Sequence, residues 1–351
     1  MNSKAPWFAL ILLPLLVTGV AAAVSIFAGA PQPVTEKDLA WHPMSTELYT
    51  ENWSFLSAFD DGSFSFSSLV ISNAGLGDSK PSVDVSYWAP NGKVTADLLM
   101  KKKKDLVAST ENMQISVGKS SAARKGDRVM LFADGGKVRT DLAFKMEAGP
   151  WQFADGRITM NKPEDFWKYV IITPRAQVSG TITTPEGSRT VHGKGYIDHT
   201  WSNLAFFSFS KKWKSLRIHG PELSLNFVEF EGNGDLAGKN VRLLLAADDK
   251  GVVYSTTSDI DVKVLDASKG FKGYLYPTRM TIKTRRVVIE VSVEQIMQSI
   301  DVLEHMSAVE AAVIRKFVSD PALVRVKAKA KVTMEGYEPF TTVCAMEMLM
   351  L

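Results

Sequence analysis

Between Val324 and Met334 the chain alternates without a break. Val324, Val326, Ala328, Ala330, Val332 and Met334 hold one set of positions; Arg325, Lys327, Lys329 and Lys331 hold the other. A helix would scatter these residues round its axis, whereas a strand turns successive side chains to opposite faces. The segment is therefore predicted to be a strand with one apolar and one wet face, as in antiparallel sheets and barrels. Val138-Thr140-Leu142-Phe144-Met146 repeats the pattern, and Val83-Val85-Tyr87 and Phe64-Phe66 show it in shorter form. Turn signals fall between such runs: Asp60-Asp61-Gly62, Pro90-Asn91-Gly92, Asp134-Gly135-Gly136, Pro185-Glu186-Gly187 and Asp248-Asp249-Lys250-Gly251. Short strands joined by tight turns point to an all-β body of antiparallel barrels or sandwiches, not to βαβ units.

The N-terminus is of another kind. Lys4 precedes a run from Trp7 to Ala30 that is uncharged and mostly apolar. It is long enough to span a bilayer as a helix, which takes about 20 residues. It also ends in Ala28-Gly29-Ala30, a small-x-small pattern that a signal peptidase could read. Residues 1–33 are accordingly expected to be a signal peptide or a membrane anchor, the anchor being favoured. The body is expected outside the cytoplasm, in the periplasm or cell envelope, secreted or tethered. Lys4 before the run and Glu36 and Asp38 after it agree with an N-terminus that stays inside.

The rest is too long for one small core. The polar stretch Glu231-Gly232-Asn233-Gly234-Asp235 suggests a division into residues 34–230 and 231–351. No internal repeat is evident. A helix is predicted where Ser307-Ala308-Val309-Glu310 fits a capping box, with Val309, Val313, Ile314 and Phe317 on one face and Asp320-Pro321 ending it. The stretch from Val293 to His305 is a second helical candidate, so a short helical insertion near the C-terminus is expected.

A formal charge of +3 gives no footing for nucleic acid binding, and Lys101–Lys104 reads as a solvated turn. Cys344 stands alone, so no intramolecular disulfide forms, and without a Cys/His motif no metal site is expected. There is no P-loop, dinucleotide fingerprint or nucleophile elbow, and no cofactor is implied.

The densest chemistry lies in Gly193-Lys194-Gly195-Tyr196-Ile197-Asp198-His199-Thr200-Trp201, followed by Trp213, Arg217 and His219. Two glycines before an aromatic suggest a close backbone approach or a bulge. On an extended strand Asp198 shares a face with Tyr196, and His199 shares the opposite face with Trp201. An Asp198–His199 pair is thus disfavoured. Either these groups line a cavity and handle a proton or a polar ligand tip, or Asp198, Arg217 and Tyr196 form a buried network joining two barrels. Aromatic residues cluster at Trp41, Tyr49, Trp53, Phe55 and Phe59, at Trp151, Phe153, Phe166, Trp167 and Tyr169, and at Phe206, Phe207 and Phe209. They read as core or as the wall of an apolar pocket.

The Gly193–Trp201 segment resembles the glycine-rich tyrosine–aspartate–histidine–tryptophan motif of a lipocalin-like family. That family takes in AttH-like proteins, the hydroxyneurosporene synthases (carotenoid hydratases) and the survival-factor proteins. Glu51-Asn52-Trp53-Ser54-Phe55 resembles its early acidic-aromatic strand, with the usual paired aromatics reduced to Trp53. Trp213 and Arg217, Tyr276-Pro277 and Ala345-Met346-Glu347 match its later segments. The segment through Ser67–Asn73 is closer to the survival-factor proteins. The resemblance runs from about Glu47 to Leu351 and implies two lipocalin-like barrels side by side. It implies activities from lipid handling to hydration of isoprenoid double bonds, and it marks Trp53, Trp201, Trp213, Arg217 and Glu347 as candidate ligand contacts.

The leading expectation is a carrier of a lipid or isoprenoid in a barrel cavity. The alternative is a hydratase or related enzyme with Asp198 as acid, assisted by Tyr196 or His199. An Asp198–Arg217 contact would be expected to lower the Asp198 pKa and argue against the acid.

Overall fold

The structure is a computed structural model that describes residues 24–73, 79–236, 238–304, 311, 312, 315 and 320–351. Most of the apolar N-terminal run lies outside the described residues, as does the helix expected at Ser307–Phe317 except for Ala311, Ala312 and Arg315, which are helical. Two antiparallel sheets account for most of the described chain.

The first sheet holds β1 (Ser25–Ile26), β2 (Thr50–Phe59), β3 (Phe64–Ser72), β4 (Lys80–Trp88), β5 (Val94–Met100), β6 (Leu106–Ala108), β7 (Gln114–Val117), β8 (Ser120–Lys125), β9 (Arg128–Asp134), β10 (Arg139–Ala148), β11 (Arg157–Thr159), β12 (Phe166–Thr184) and β13 (Gly187–Ser202). A short helix, α1 (Phe206–Phe209), then leads into the second sheet. That sheet holds β14 (Ser210–His219), β15 (Ser224–Gly232), β16 (Val241–Asp248), β17 (Gly251–Thr256), β18 (Asp261–Lys269), β19 (Leu275–Lys283), β20 (Val287–Asp301), β21 (Ala322–Met334) and β22 (Phe340–Met350).

Both sheets are wound alike. The first runs β5-β4-β3-β2-β13-β12-β10-β9-β8-β7-β6, and the second runs β17-β16-β15-β14-β22-β21-β20-β19-β18. In each, four strands meander out, and the last strand returns to pair with the first. Each sheet curls into a half-barrel whose two edge strands do not pair with each other. The repetition is one of topology, which explains why the residues alone show no repeat.

Alternation drives this architecture. In β21 the even-numbered residues from Val324 to Met334 are buried in the second half-barrel. In β10, Thr140, Leu142 and Phe144 point into the first. Two expectations need correction. Val293–Asp301 continues strand β20, followed by a turn, and is not helical. Bulges between Val293 and Gln295 and between Ile296 and Gln298 shift its register, so its apolar residues fall at three- and four-residue spacings that imitate a helix. Nor is the second face of β21 wet throughout, because Arg325 is buried against the first sheet.

The passage between sheets falls at residues 203–209. The polar stretch Glu231–Asp235, where a division was expected, lies inside the second sheet and leads from β15 towards β16. The end of the N-terminal apolar run is part of the body: β1 pairs with β11, and Phe27 is buried against Phe153.

Side chains fill the interior of the first half-barrel, among them Trp53, Phe55, Ile71, Phe144 and Ile197. The second is filled by residues such as Phe227, Ile282, Val326 and Met346. The outer faces of the two sheets meet through Tyr169, Ile171 and Tyr196 against Val228, Phe230 and Leu243. A smaller contact joins Leu56, Phe66 and Trp88 to Met297 and Ala345. Arg175 of β12 latches the junction by donating to the carbonyls of Gly220 and Pro221, at 3.2 and 2.7 Å, while pairing with Glu147 at 2.8 Å.

The two glycines before Tyr196 mark close approaches, as their spacing suggested. A Cβ on Gly193 would lie 2.2 Å from the Ala58 carbonyl oxygen, and one on Gly195 would lie 2.4 Å from Val178 Cγ2 and 2.6 Å from the Phe144 ring. Gly195→Ala is expected to cost about 1–3 kcal/mol of stability through overpacking, measured by urea unfolding. A second expectation concerns acid. Burial, with Arg175 and Lys194 nearby, pushes the His219 imidazole down to about 3, against about 6.5 in the unfolded chain. Below pH 6.5 the unfolded state therefore takes up the proton first, and stability falls as pH drops towards 3. A His219→Gln variant should show a flatter stability curve between pH 6.5 and 5.

Candidate functional site

Strand β13 presents two faces to two environments. Tyr196, Asp198 and Thr200 point out towards the second sheet, while Ile197, His199 and Trp201 point into the first half-barrel. The faces are those that strand periodicity assigns, and Asp198 and His199 make no contact.

On the outer face, Asp198 and Arg217 form a buried pair, with Arg217 Nη2 donating to Asp198 Oδ2 at 3.1 Å. The guanidinium carbon lies 5.1 Å from the Tyr196 ring centre and 5.8 Å from that of Trp213. Behind them the hydroxyls of Tyr169 and Tyr196 bond to each other, and Asn226 Nδ2 donates to both at 2.7 and 3.2 Å. Burial and the Asp198 charge raise both tyrosine pKa values, so these hydroxyls stay neutral. Asp198 departs from expectation. Burial pushes its carboxyl above the usual range, and the Arg217 charge and hydrogen bonds from Tyr196 and Arg217 pull it down without cancelling the rise. The contact thought to decide against an acid is present, yet the shift is upward, because both partners are removed from water.

This pair forms part of the wall of an apolar cavity of about 280 Å³ between the two sheets, not inside either half-barrel as a barrel ligand would require. Thr50, Asn52 and Ser54 of β2 and Asp198, Thr200 and Ser202 of β13 make one side polar. Trp167, Phe206, Phe209, Trp213, Val228 and Phe230 make the other side aromatic and aliphatic. The Phe206–Phe209 cluster enters the wall because α1 carries it across from one sheet to the other. The polar row was missed in the sequence: alternate Thr, Asn and Ser on a strand reads as a solvent face. The second half-barrel has a wider charged groove of about 550 Å³ at its mouth, where Lys212, Lys214, Glu229, Arg242, Tyr276 and Pro277 lie.

The inner face of β13 is equally ordered. His199 Nδ1 lies 2.9 Å from the Asp38 carbonyl, and Nε2 lies 2.8 Å from Glu51 Oε1. His42 Nδ1 lies 3.2 Å from the same oxygen, and the Tyr49 hydroxyl donates to the other carboxylate oxygen. Indole rings enclose the imidazoles: His42 stacks on Trp201 at 3.8 Å and His199 on Trp53 at 4.4 Å. Burial disfavours the Glu51 charge, but its contacts with His199 and His42 leave its pKa below the usual range. The three donor atoms of His42, Glu51 and His199 lie within 4.8 Å of one another.

The candidate residues are thus divided. Asp198, Arg217, Trp213 and Trp201 border the cavity, with Tyr196 supporting Arg217 from behind. Trp53 does not reach it; its indole donates to the Leu39 carbonyl inside the first half-barrel. Glu347 also lies apart, accepting from Arg325 Nε at 2.5 Å while Arg325 Nη2 donates to Asp84 at 2.9 Å. The Arg325 guanidinium covers the Phe66 ring at 3.9 Å.

Solved structures share this architecture. An AttH protein from Nitrosomonas europaea superposes with a TM-score of 0.67 at 13% identity, over 93% of this chain and 98% of its own. The protein CghA with Sch210972 gives 0.62 at 10% identity, over 87% and 88% of the two chains. Kievitone hydratase from Nectria haematococca gives 0.59 at 11% identity, over 92% and 97%. At such identities the likeness is one of fold. No curated protein matches the chain in sequence. The Svf1 family model matches from residue 28 to residue 325, across both half-barrels and the β13 motif, and the chain therefore belongs to the Svf1 family.

Proposed function

We propose that the chain binds and carries an apolar small molecule, a lipid or isoprenoid, in the cavity between its two sheets. The observation that carries this reading is the cavity's division into an aromatic side and a polar side ending at Asp198–Arg217. An apolar body would gain about 25 cal/mol per Å² on leaving water for the aromatic side. A polar tip would replace water at Thr50, Asn52, Thr200 or the ion pair. The reading requires no cofactor and gives no role to nucleic acid. It places the protein outside the cytoplasm, at a periplasmic face or in the cell envelope, on the strength of the Trp7–Ala30 run. A retained anchor suits it better than cleavage near Ala30, since that cut would remove β1 and the buried Phe27.

One observation favours a second reading, a hydratase acting on an isoprenoid double bond. Asp198 borders the apolar cavity with a carboxyl whose pKa burial raises, as a general acid needs. It would give its proton to one alkene carbon while water adds to the other and returns a proton. Sharing a fold with kievitone hydratase is compatible with this and does not establish it.

Native mass spectrometry and solvent extraction of the purified protein should find about one apolar molecule per chain. Trp213→Ala should lower its affinity at least tenfold, which corresponds to about 1.4 kcal/mol. Finding no co-purified molecule and no uptake of a fluorescent apolar probe would sink the carrier reading. Asp198→Asn separates the two: a carrier keeps binding, whereas a hydratase loses turnover. Because Asp198→Asn leaves Arg217 buried without its counter-charge, it should also cost roughly 3–5 kcal/mol of stability, so binding is measured well below the unfolding temperature.

A further inference from the structure

Hydrogen-bond roles around His199 leave one position unresolved. A backbone carbonyl only accepts, so His199 Nδ1, 2.9 Å from the Asp38 oxygen, must carry the hydrogen. In a neutral ring Nε2 is then a lone pair. Yet Nε2 faces Glu51 Oε1 at 2.8 Å, and an ionised carboxylate has only lone pairs to offer. His42 adds a second ring nitrogen, with Nδ1 3.2 Å from that oxygen, and its backbone N–H donates to the same carboxylate. A second proton on the His199 ring, or a cation held among these three atoms, satisfies that contact.

We infer that His42 Nδ1, Glu51 and His199 Nε2 form a binding site for a divalent transition metal of the zinc class. Two imidazoles and a carboxylate are a donor set suited to such ions and leave a coordination position for solvent. The Asp38 carbonyl plays the orienting role that metal-bound histidines usually find in a carbonyl or carboxylate on the far ring nitrogen. It fixes the tautomer that turns the Nε2 lone pair towards Glu51. Tetrahedral bonds of about 2.1 Å separate ligand atoms by about 3.4 Å, so the observed 2.8 and 3.2 Å contacts need to open by less than about 1 Å. Glu51 and His199 side chains are fully buried, whereas His42 is 25% exposed and offers the way in. The Tyr49 hydroxyl, held by Trp41 Nε1 at 3.0 Å, steadies the remaining carboxylate oxygen. The ligands lie 9 and 148 positions apart in sequence, a spacing that matches no linear zinc motif. This site is on the opposite face of β13 from the cavity and does not depend on what the cavity binds.

The competing arrangement is a doubly protonated His199 in an ion pair with Glu51, and metal counting separates the two. Tag-free full-length protein is stripped with a chelator, dialysed against zinc or cobalt(II), and analysed by mass spectrometry of the elements. The expected result is about one equivalent per chain, visible cobalt(II) absorption, and a thermal midpoint that rises with zinc. His42→Ala, which alters the partly exposed ligand, and Glu51→Gln should each lower retention at least tenfold, while His192→Ala leaves it unchanged. Wild-type protein that retains no metal, with its midpoint unmoved, overturns the inference in favour of the ion pair. Retention that persists in both His42→Ala and Glu51→Gln overturns it by placing the metal elsewhere.

Discussion

Strand β13 holds the molecule together by pairing on both sides at once, with β12 along one edge and β2 along the other. Those two ladders join the outgoing and returning parts of the first half-barrel. They also commit the strand to two environments, since every second residue must leave the barrel interior. The inward residues complete a dry core around His199 and Glu51. The outward ones, Tyr196 and Asp198, become the surface on which the second half-barrel sits. A one-residue slip would place the Asp198 carboxylate beside Trp53 and Glu51 of β2 and turn the imidazole towards Arg217. Register in this strand therefore fixes both polar clusters together.

Apolar contact and buried charge play different parts in the junction. Tyr169, Phe230, Leu243 and their neighbours supply the burial that drives docking. Ion pairs contribute little net stability once desolvation is counted, but losing one partner is costly. Asp198–Arg217, Arg325 with Asp84 and Glu347, and the Arg175 latch on the Gly220–Pro221 turn each cross the junction or stand beside it. Their distribution penalises any sliding of one sheet on the other. The apolar patches fix that the sheets meet, and the charges fix where.

Much of this was legible in the residues, and what was not has physical causes. Strict alternation in β21 and β10 specified strands, and the same rule separated Asp198 from His199. The Gly193 and Gly195 contacts followed from the rarity of glycine inside strands. The helix read into Val293–His305 failed because two bulges convert a period of two into an apparent three or four. Trp53 was taken for a ligand contact because burial in a core and exposure to a cavity ask for the same aromatic side chain. The Asp198 shift was read from its partner alone, although desolvation is the larger effect once Arg217 is buried with it. The change of sheet at residues 203–209 carries few of the glycines and charges that mark a linker, since Phe206 and Phe209 are themselves packed in the wall.

The position of the cavity follows from curvature. A half-barrel with side chains filling its concave face has little room inside, and large residues such as Trp53, Phe55 and Phe144 occupy the first one fully. Two convex outer faces can touch only along a limited strip, and beyond that strip they diverge. Where they diverge beyond the Tyr169–Tyr196 contact, the gap must be filled by side chains, by solvent or by a ligand. The second sheet and the α1 connection reach into it with Trp213, Phe206 and Phe230, while β2 of the first offers only Thr50, Asn52 and Ser54. Large rings opposite small polar groups leave the space open and make its two walls chemically unlike. The cavity is thus a consequence of packing two similar half-barrels back to back, and neither half-barrel contains it alone.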